Sequence, residues 1–104
     1  MTYYDLDEQN NVIEVEHIPS AMFETKEGSD RRRVATDMIG GVRISTVFLS
    51  IDHGDGDGPP VLFETMVFGG QFDQDQARYT TWAEAEIGHK AMVRLIKAGL
   101  HDDH

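Results

Sequence analysis

The chain has 104 residues, no cysteine, and 19 acidic against 9 basic residues, for a net charge of −10. That length suits one domain with a single core, and the missing cysteine excludes a disulfide scaffold or a thiolate metal site. No apolar run approaches the ~20 residues that a membrane-crossing helix needs.

The charge is uneven: Asp5, Asp7, Glu8, Glu14, Glu16, Glu24, Glu27 and Asp30 are offset in residues 1–30 by Lys26 alone. Such a field repels phosphate backbones, so direct nucleic-acid binding is not expected. It favours a protein partner with a basic surface, or a cation, and it also keeps a small protein in solution. Residues 1–8 lack the basic-then-apolar order of a signal peptide, so the expected setting is the cytoplasm. Residues 1–8 and 100–104 are expected to fray.

In chain order, residues 2–6 and 12–16 read as two short strands. They are joined by Asp/Asn-rich residues 6–11, whose side chains bond their own backbone and tolerate left-handed conformations. Pro19 stops that pattern. Residues 21–25 read as a brief strand or an irregular turn, and residues 26–30 as a polar loop. Residues 33–39 then meet Gly40-Gly41 and the apolar run 42–51. Two glycines between strand-like runs signal a hairpin, because both can take positive φ; a short helix over 31–39 is the competing reading. Within 42–51 the apolar positions change parity after Ile44, which points to a bulge near Ser45-Thr46 or to burial on both faces.

Residues 52–60 (Asp-His-Gly-Asp-Gly-Asp-Gly-Pro-Pro) form a loop, and residues 61–68 return as an antiparallel strand in which only Glu64 interrupts the apolar surface. Thr81-Trp-Ala-Glu84 matches a capping box and opens a helix. Trp82, Ala85, His89, Met92, Val93 and Ile96 recur at helical spacing as its buried stripe, widened by Ile87 and Leu95. Gly99-Leu100 reads as its C-terminal stop. The expected fold is α+β: a small, mainly antiparallel sheet of four to five strands with one C-terminal helix packed on one face.

Two groups of residues invite chemistry. The 52–58 loop fails the hand-type calcium pattern in either register, since position 3 from Asp52 is Gly54 and position 5 from Asp55 is Pro59. Asp52, His53, Glu64 and His89 form a non-local set able to hold a divalent cation, with a position left open for water. A histidine on an apolar helix face more commonly satisfies a buried carboxylate or carbonyl. Arg78 and Tyr79 stand just before the helix, where the guanidinium can pair with Glu64 or Asp52. Arg31, Arg32 and Arg33 are a short basic run that offsets nearby acids. No hydrolase elbow, phosphate loop or zinc-protease helix occurs, so neither a catalytic residue nor a cofactor is implied.

Three strings carry a resemblance: Ser45-Thr-Val-Phe-Leu-Ser-Ile-Asp-His-Gly54, Gly58-Pro-Pro-Val-Leu-Phe-Glu-Thr-Met-Val-Phe68, and Arg78-Tyr-Thr-Thr-Trp-Ala-Glu-Ala-Glu-Ile-Gly-His89. Together they resemble a group of small bacteriophage- and prophage-encoded proteins, over residues 45–92. The resemblance implies a viral or mobile-element origin and draws attention to its polar positions Asp52, His53, Glu64, Arg78, Tyr79 and His89. It implies no reaction. The function expected is that of an accessory or regulatory protein acting through protein–protein contact, with a homo-oligomer as one form of it; a virion component is a separate, third reading. A small metal-binding domain or metal-dependent enzyme is the alternative.

Overall fold

A computed structural model describes residues 2–17, 33–52, 54, 56 and 58–102. Among the described residues six strands precede one helix: β1 (Tyr3–Leu6), β2 (Val12–Val15), β3 (Arg33–Ile39), β4 (Val42–Phe48), β5 (Phe63–Phe68), β6 (Gln76–Tyr79) and α1 (Trp82–Asp102). β1 and β2 form a two-stranded ribbon, and β3-β4-β5-β6 form an antiparallel sheet in that order. The α+β architecture is therefore as expected, with α1 lying across all four strands of the larger sheet. No described helix is long and apolar enough to cross a membrane. Residues 21–30 and the doublet Arg31-Arg32 lie outside the described residues.

Local chemistry accounts for the turns. Asp7 Oδ1 accepts the amides of Gln9 and Asn11, both at 2.9 Å, and Asn10 adopts φ 64°. These bonds, that to Asn11 foremost, hold the Asp7 carboxyl below its usual range. Tyr3–Leu6 pairs with β2, and Leu6 is buried. Between β3 and β4, Gly40 (φ 53°) and Gly41 (φ 85°) close a two-residue turn with Ile39 facing Val42. Positive φ at both centres matches the natural twist of a hairpin, so the hairpin forms and the helical alternative over 31–39 does not.

β4 is regular throughout, with Val42, Ile44, Thr46 and Phe48 buried in strict alternation. The expected bulge is in its neighbour instead, between Arg33 and Ala35, opposite Val47 and Thr46. Thr46 takes the inward position that a purely apolar count assigns elsewhere. On the same face of β5 lie Phe63, Thr65 and Val67, each opposite its β4 counterpart. β6 was not anticipated: Gln76-Ala-Arg-Tyr79 is short and polar, yet it pairs with β5 as an edge strand.

The helix begins as its sequence dictates. The Thr81 hydroxyl accepts the Glu84 amide at 3.1 Å. Glu84 Oε1 reaches one residue further back than a simple capping box, accepting the Thr80 hydroxyl at 2.6 Å and the Thr80 amide at 3.1 Å. These bonds, the Thr80 hydroxyl foremost, hold the Glu84 carboxyl below its usual range. The unfolded chain thus binds a proton more readily at this site than the folded one. The contribution is present at neutral pH and fades as pH falls through the depressed folded value. Urea titrations of Glu84→Gln are expected to show a flatter rise of stability with pH across the carboxylate range than wild type. Thr81→Ala should cost about 1 kcal/mol at pH 7 by the same measurement.

At its other end α1 continues through Gly99 to Asp102, so Gly99 is not a stop. Its missing side chain lets Phe72 approach, since an added Cβ would lie 3.0 Å from Phe72 Cε2. Ile87 and Leu95 do not widen the buried stripe. They are 67 % and 46 % exposed, on the solvent side of the helix.

The core divides in two. One half gathers Leu6, Phe48, Leu62, Phe63 and Ala85, with Trp82 set edge-on to Phe63 at 6.2 Å. The other gathers Val42, Ile44, Val67 and Ile96. Between them run the buried polar side chains Thr46, Thr65 and His89.

Ser50, just past β4, is the local anomaly. It is buried with φ 58°, and its hydroxyl has no hydrogen-bond partner among the described residues. A left-handed non-glycine residue and an unpaired buried hydroxyl each carry a penalty. Ser50→Gly removes both, and should raise thermal stability by about 1 kcal/mol after the added chain entropy of glycine. A melting temperature equal to or below wild type would refute that account.

Candidate functional site

The described polar side chains converge most closely where α1 crosses the middle of the sheet. His89 projects inward from the third position of the helical stripe, which follows from its spacing to Ala85 and Met92. Its Nε2 lies 2.7 Å from Asp37 Oδ2 on β3, and its Nδ1 lies 2.7 Å from Thr46 Oγ1 on β4. Thr46 Oγ1 in turn lies 2.5 Å from Thr65 Oγ1 on β5. One chain of hydrogen bonds thus crosses three strands and the helix.

Its polarity follows from donor chemistry. A carboxylate only accepts, so the His89 Nε2–H donates to Asp37. In the neutral ring Nδ1 then accepts from the Thr46 hydroxyl, whose oxygen accepts from Thr65. The chain runs from solvent to core: the Asp37 side chain is 52 % exposed, that of His89 4 %, and Thr46 and Thr65 are sealed.

Hydroxyl, imidazole and carboxylate in that order match the relay of a hydrolytic triad. Access rules the reaction out. Thr46 has 0 % exposure beneath the helix, and the described pockets are lined by other residues. No substrate carbonyl can approach its oxygen, and no water can follow. The arrangement satisfies buried polar groups and ties the helix to three strands.

Of the four residues expected to share a cation, the three described, Asp52, Glu64 and His89, each bond to different partners. His89 is turned inward as expected, but its bonds go to Asp37 and Thr46. Glu64 alternates with buried Thr65 and belongs to the other face of the sheet, where its Oε2 accepts Arg78 Nε at 3.0 Å. Arg78 thus takes the first of the two partners expected of it. Asp52 Oδ1 accepts the amides of Gly54 and Val61, both at 2.8 Å, and so closes its own loop. His53 lies outside the described residues. Among the described residues no three histidine or acidic side chains gather as a metal-ligand set.

Tyr79 lies against Gly88 of α1, and Arg78, Tyr79 and Ile87 line a shallow groove along the β6 edge. Sequence reasoning missed Asp37 and Thr46, although the signal for both was available. A two-residue turn at Gly40-Gly41 fixes the parity of both strands, placing Asp37, Ile44 and Thr46 on one face.

The opposite face of the sheet is ordered in three rows across the strands. Met38, Arg43 and Phe68 form one row; Thr36, Ser45, Met66 and Gln76 the next; Arg33, Val47, Glu64 and Arg78 the third. Met38 is 65 % exposed, and the Arg43 guanidinium stacks 4.5 Å from the Phe68 ring centre. Among the described residues no helix or strand is stacked on this face. No protein-family model, no curated protein and no solved structure matches this chain.

Proposed function

We propose that this chain is a non-enzymatic accessory protein, of bacteriophage or prophage origin, that works by binding another protein. The observation that supports this reading most directly is the sheet face turned away from α1, where Met38, Val47, Met66 and Phe68 stand among arginines with no described element over them. Met38 is exposed and the other three are half-buried, and partly exposed apolar area rimmed by charge is characteristic of interaction surfaces. Among the described residues, the one hydroxyl–imidazole–carboxylate chain has its hydroxyls sealed, which supports a non-enzymatic reading. The net charge of −10, with Asp5, Asp7, Glu8, Glu14 and Glu16 on or beside the β1–β2 ribbon, favours a partner that presents basic groups.

A photo-crosslinking residue at position 66, in cells that carry the gene, tests this reading. Wild-type background should yield one discrete adduct whose recovery falls with rising salt. Val47→Glu, introduced with circular dichroism unchanged, should abolish that adduct. The reading fails if no adduct forms, if the adduct ignores salt, or if Val47→Glu leaves it intact.

A further inference from the structure

At the end of the sheet far from the β1–β2 ribbon, a cleft of about 140 Å³ opens between two glycine turns and the last turns of α1. Val42, Phe72 and Ile96 supply its apolar surfaces, and none of the residues lining it is ionisable. In a chain with 27 % charged residues, an uncharged cleft is a chemical statement about what it receives. We infer that it is a binding site for one neutral aromatic ring, of benzene to indole size, independent of the open sheet face.

Volume argues for the ring. An enclosed cavity of about 150 Å³ lined by apolar side chains is known to take benzene, so this more open, glycine-walled cleft is of single-ring size and too small for a larger cofactor. Phe72 offers it an aromatic neighbour for edge or offset contact. Gln71, also on the rim, has its Nε2 4.0 Å from where a Gly99 Cβ would stand. Its carboxamide can serve a phenol hydroxyl or an indole N–H.

Gly40, Gly41, Gly69, Gly70 and Gly99 leave most of the cleft wall without side chains. Gly40 and Gly41 take the positive φ that the hairpin needs, and a Cβ on Gly41 would meet nothing within 4 Å. Across the cleft, Gly70 (φ 71°) and Gly99 lie so close to their neighbours that a Cβ would fall 2.8 Å from Val42 Cγ2 and 3.0 Å from Phe72 Cε2, so these two glycines draw the apolar walls together.

Ligand-observed and amide-shift NMR on the whole chain, with benzene, phenol and indole as probes, tests the site. Saturable millimolar binding is expected, with shifts centred on Val42, Phe72, Ile96 and Gly99. Gly99→Ala places a methyl against Phe72 while improving helix propensity, so the variant should fold and bind each probe at least tenfold more weakly. Gln71→Ala should weaken phenol and indole several-fold and leave benzene unchanged. N-acetyl-tryptophanamide identifies the source of the ring. Tighter binding than indole assigns the site to a side chain on a polypeptide, and weaker binding assigns it to a free small molecule. Absence of saturable shifts with all three probes overturns the inference. So do shifts centred on Met66 and Phe68, or a Gly99→Ala variant that binds as well as wild type. Loss of the adduct at position 66 would not touch it.

Discussion

His89→Ala is expected to lower the unfolding free energy by about 3 kcal/mol, measured in urea at pH 7. Three losses combine. The imidazole fills the middle of the helix–sheet interface, so its removal leaves a cavity that two facing threonines cannot close. Two hydrogen bonds of 2.7 Å disappear. The buried Thr46 hydroxyl keeps Thr65 but loses its other partner. For a domain near this size, about 3 kcal/mol should appear as a melting temperature lower by roughly 15 °C. Thr46→Val should cost about 2 kcal/mol, because it strands Nδ1 in the core. Combining Thr46→Val with His89→Leu should cost less than the sum of the two single changes, since both ends of a buried polar pair are then apolar. Strict additivity, or a His89→Ala cost below about 1 kcal/mol, would mean that this belt does not hold the helix in place.

Gly88→Ala is expected to destabilise by about 2 kcal/mol, against the usual sign for glycine in a helix interior. Gly88 carries no positive φ, so alanine suits its backbone and gains up to about 1 kcal/mol of propensity. That gain is outweighed because the new methyl would land on the Tyr79 ring, at Cζ, Cε1 and the hydroxyl oxygen. Tyr79 is half-buried against the Leu6–Phe63 half of the core and would have to leave it. The decisive measurement uses a Tyr79→Ser background. With the ring gone, Gly88→Ala should become stabilising by about 1 kcal/mol. A negative effect in both backgrounds would place its cause elsewhere than in the ring.

Fold elements were legible where local chemistry specifies them. The capping residues Thr81 and Glu84 mark the helix start, and the Gly40-Gly41 pair marks the hairpin, because each satisfies a backbone requirement within a few residues. β6 was not legible: of its four residues, only Ala77 and Tyr79 share the parity of β5's buried face, and the polar pair reads as loop. Ile87 and Leu95 were misplaced by residue type. Ile87 lies two positions, about 200° of helix, from both Ala85 and His89, so its angular position already put it in solvent. At the centre of the sheet, His89 was legible as inward-facing, but its partners depend on strand parity across the hairpin. Asp37 is a half-exposed strand acid, and only its register opposite Ile44 puts it on the helix side of the sheet. Glu64 stood out as an interruption for the converse reason: it sits on the strand's other side and has Arg78 for company.

The hydroxyl–imidazole belt also acts as a key for alignment. Sliding α1 by one turn along the sheet would seat its ring against Ile44 or Phe48, where no acceptor or donor waits, and moving β5 by two residues would part the facing threonines. Uniformly oily layers tolerate such offsets at small cost, whereas a stranded polar group adds about 1–3 kcal/mol to each of them. A short chain assembled from strands of four to seven residues is thereby held to one mutual placement of sheet and helix.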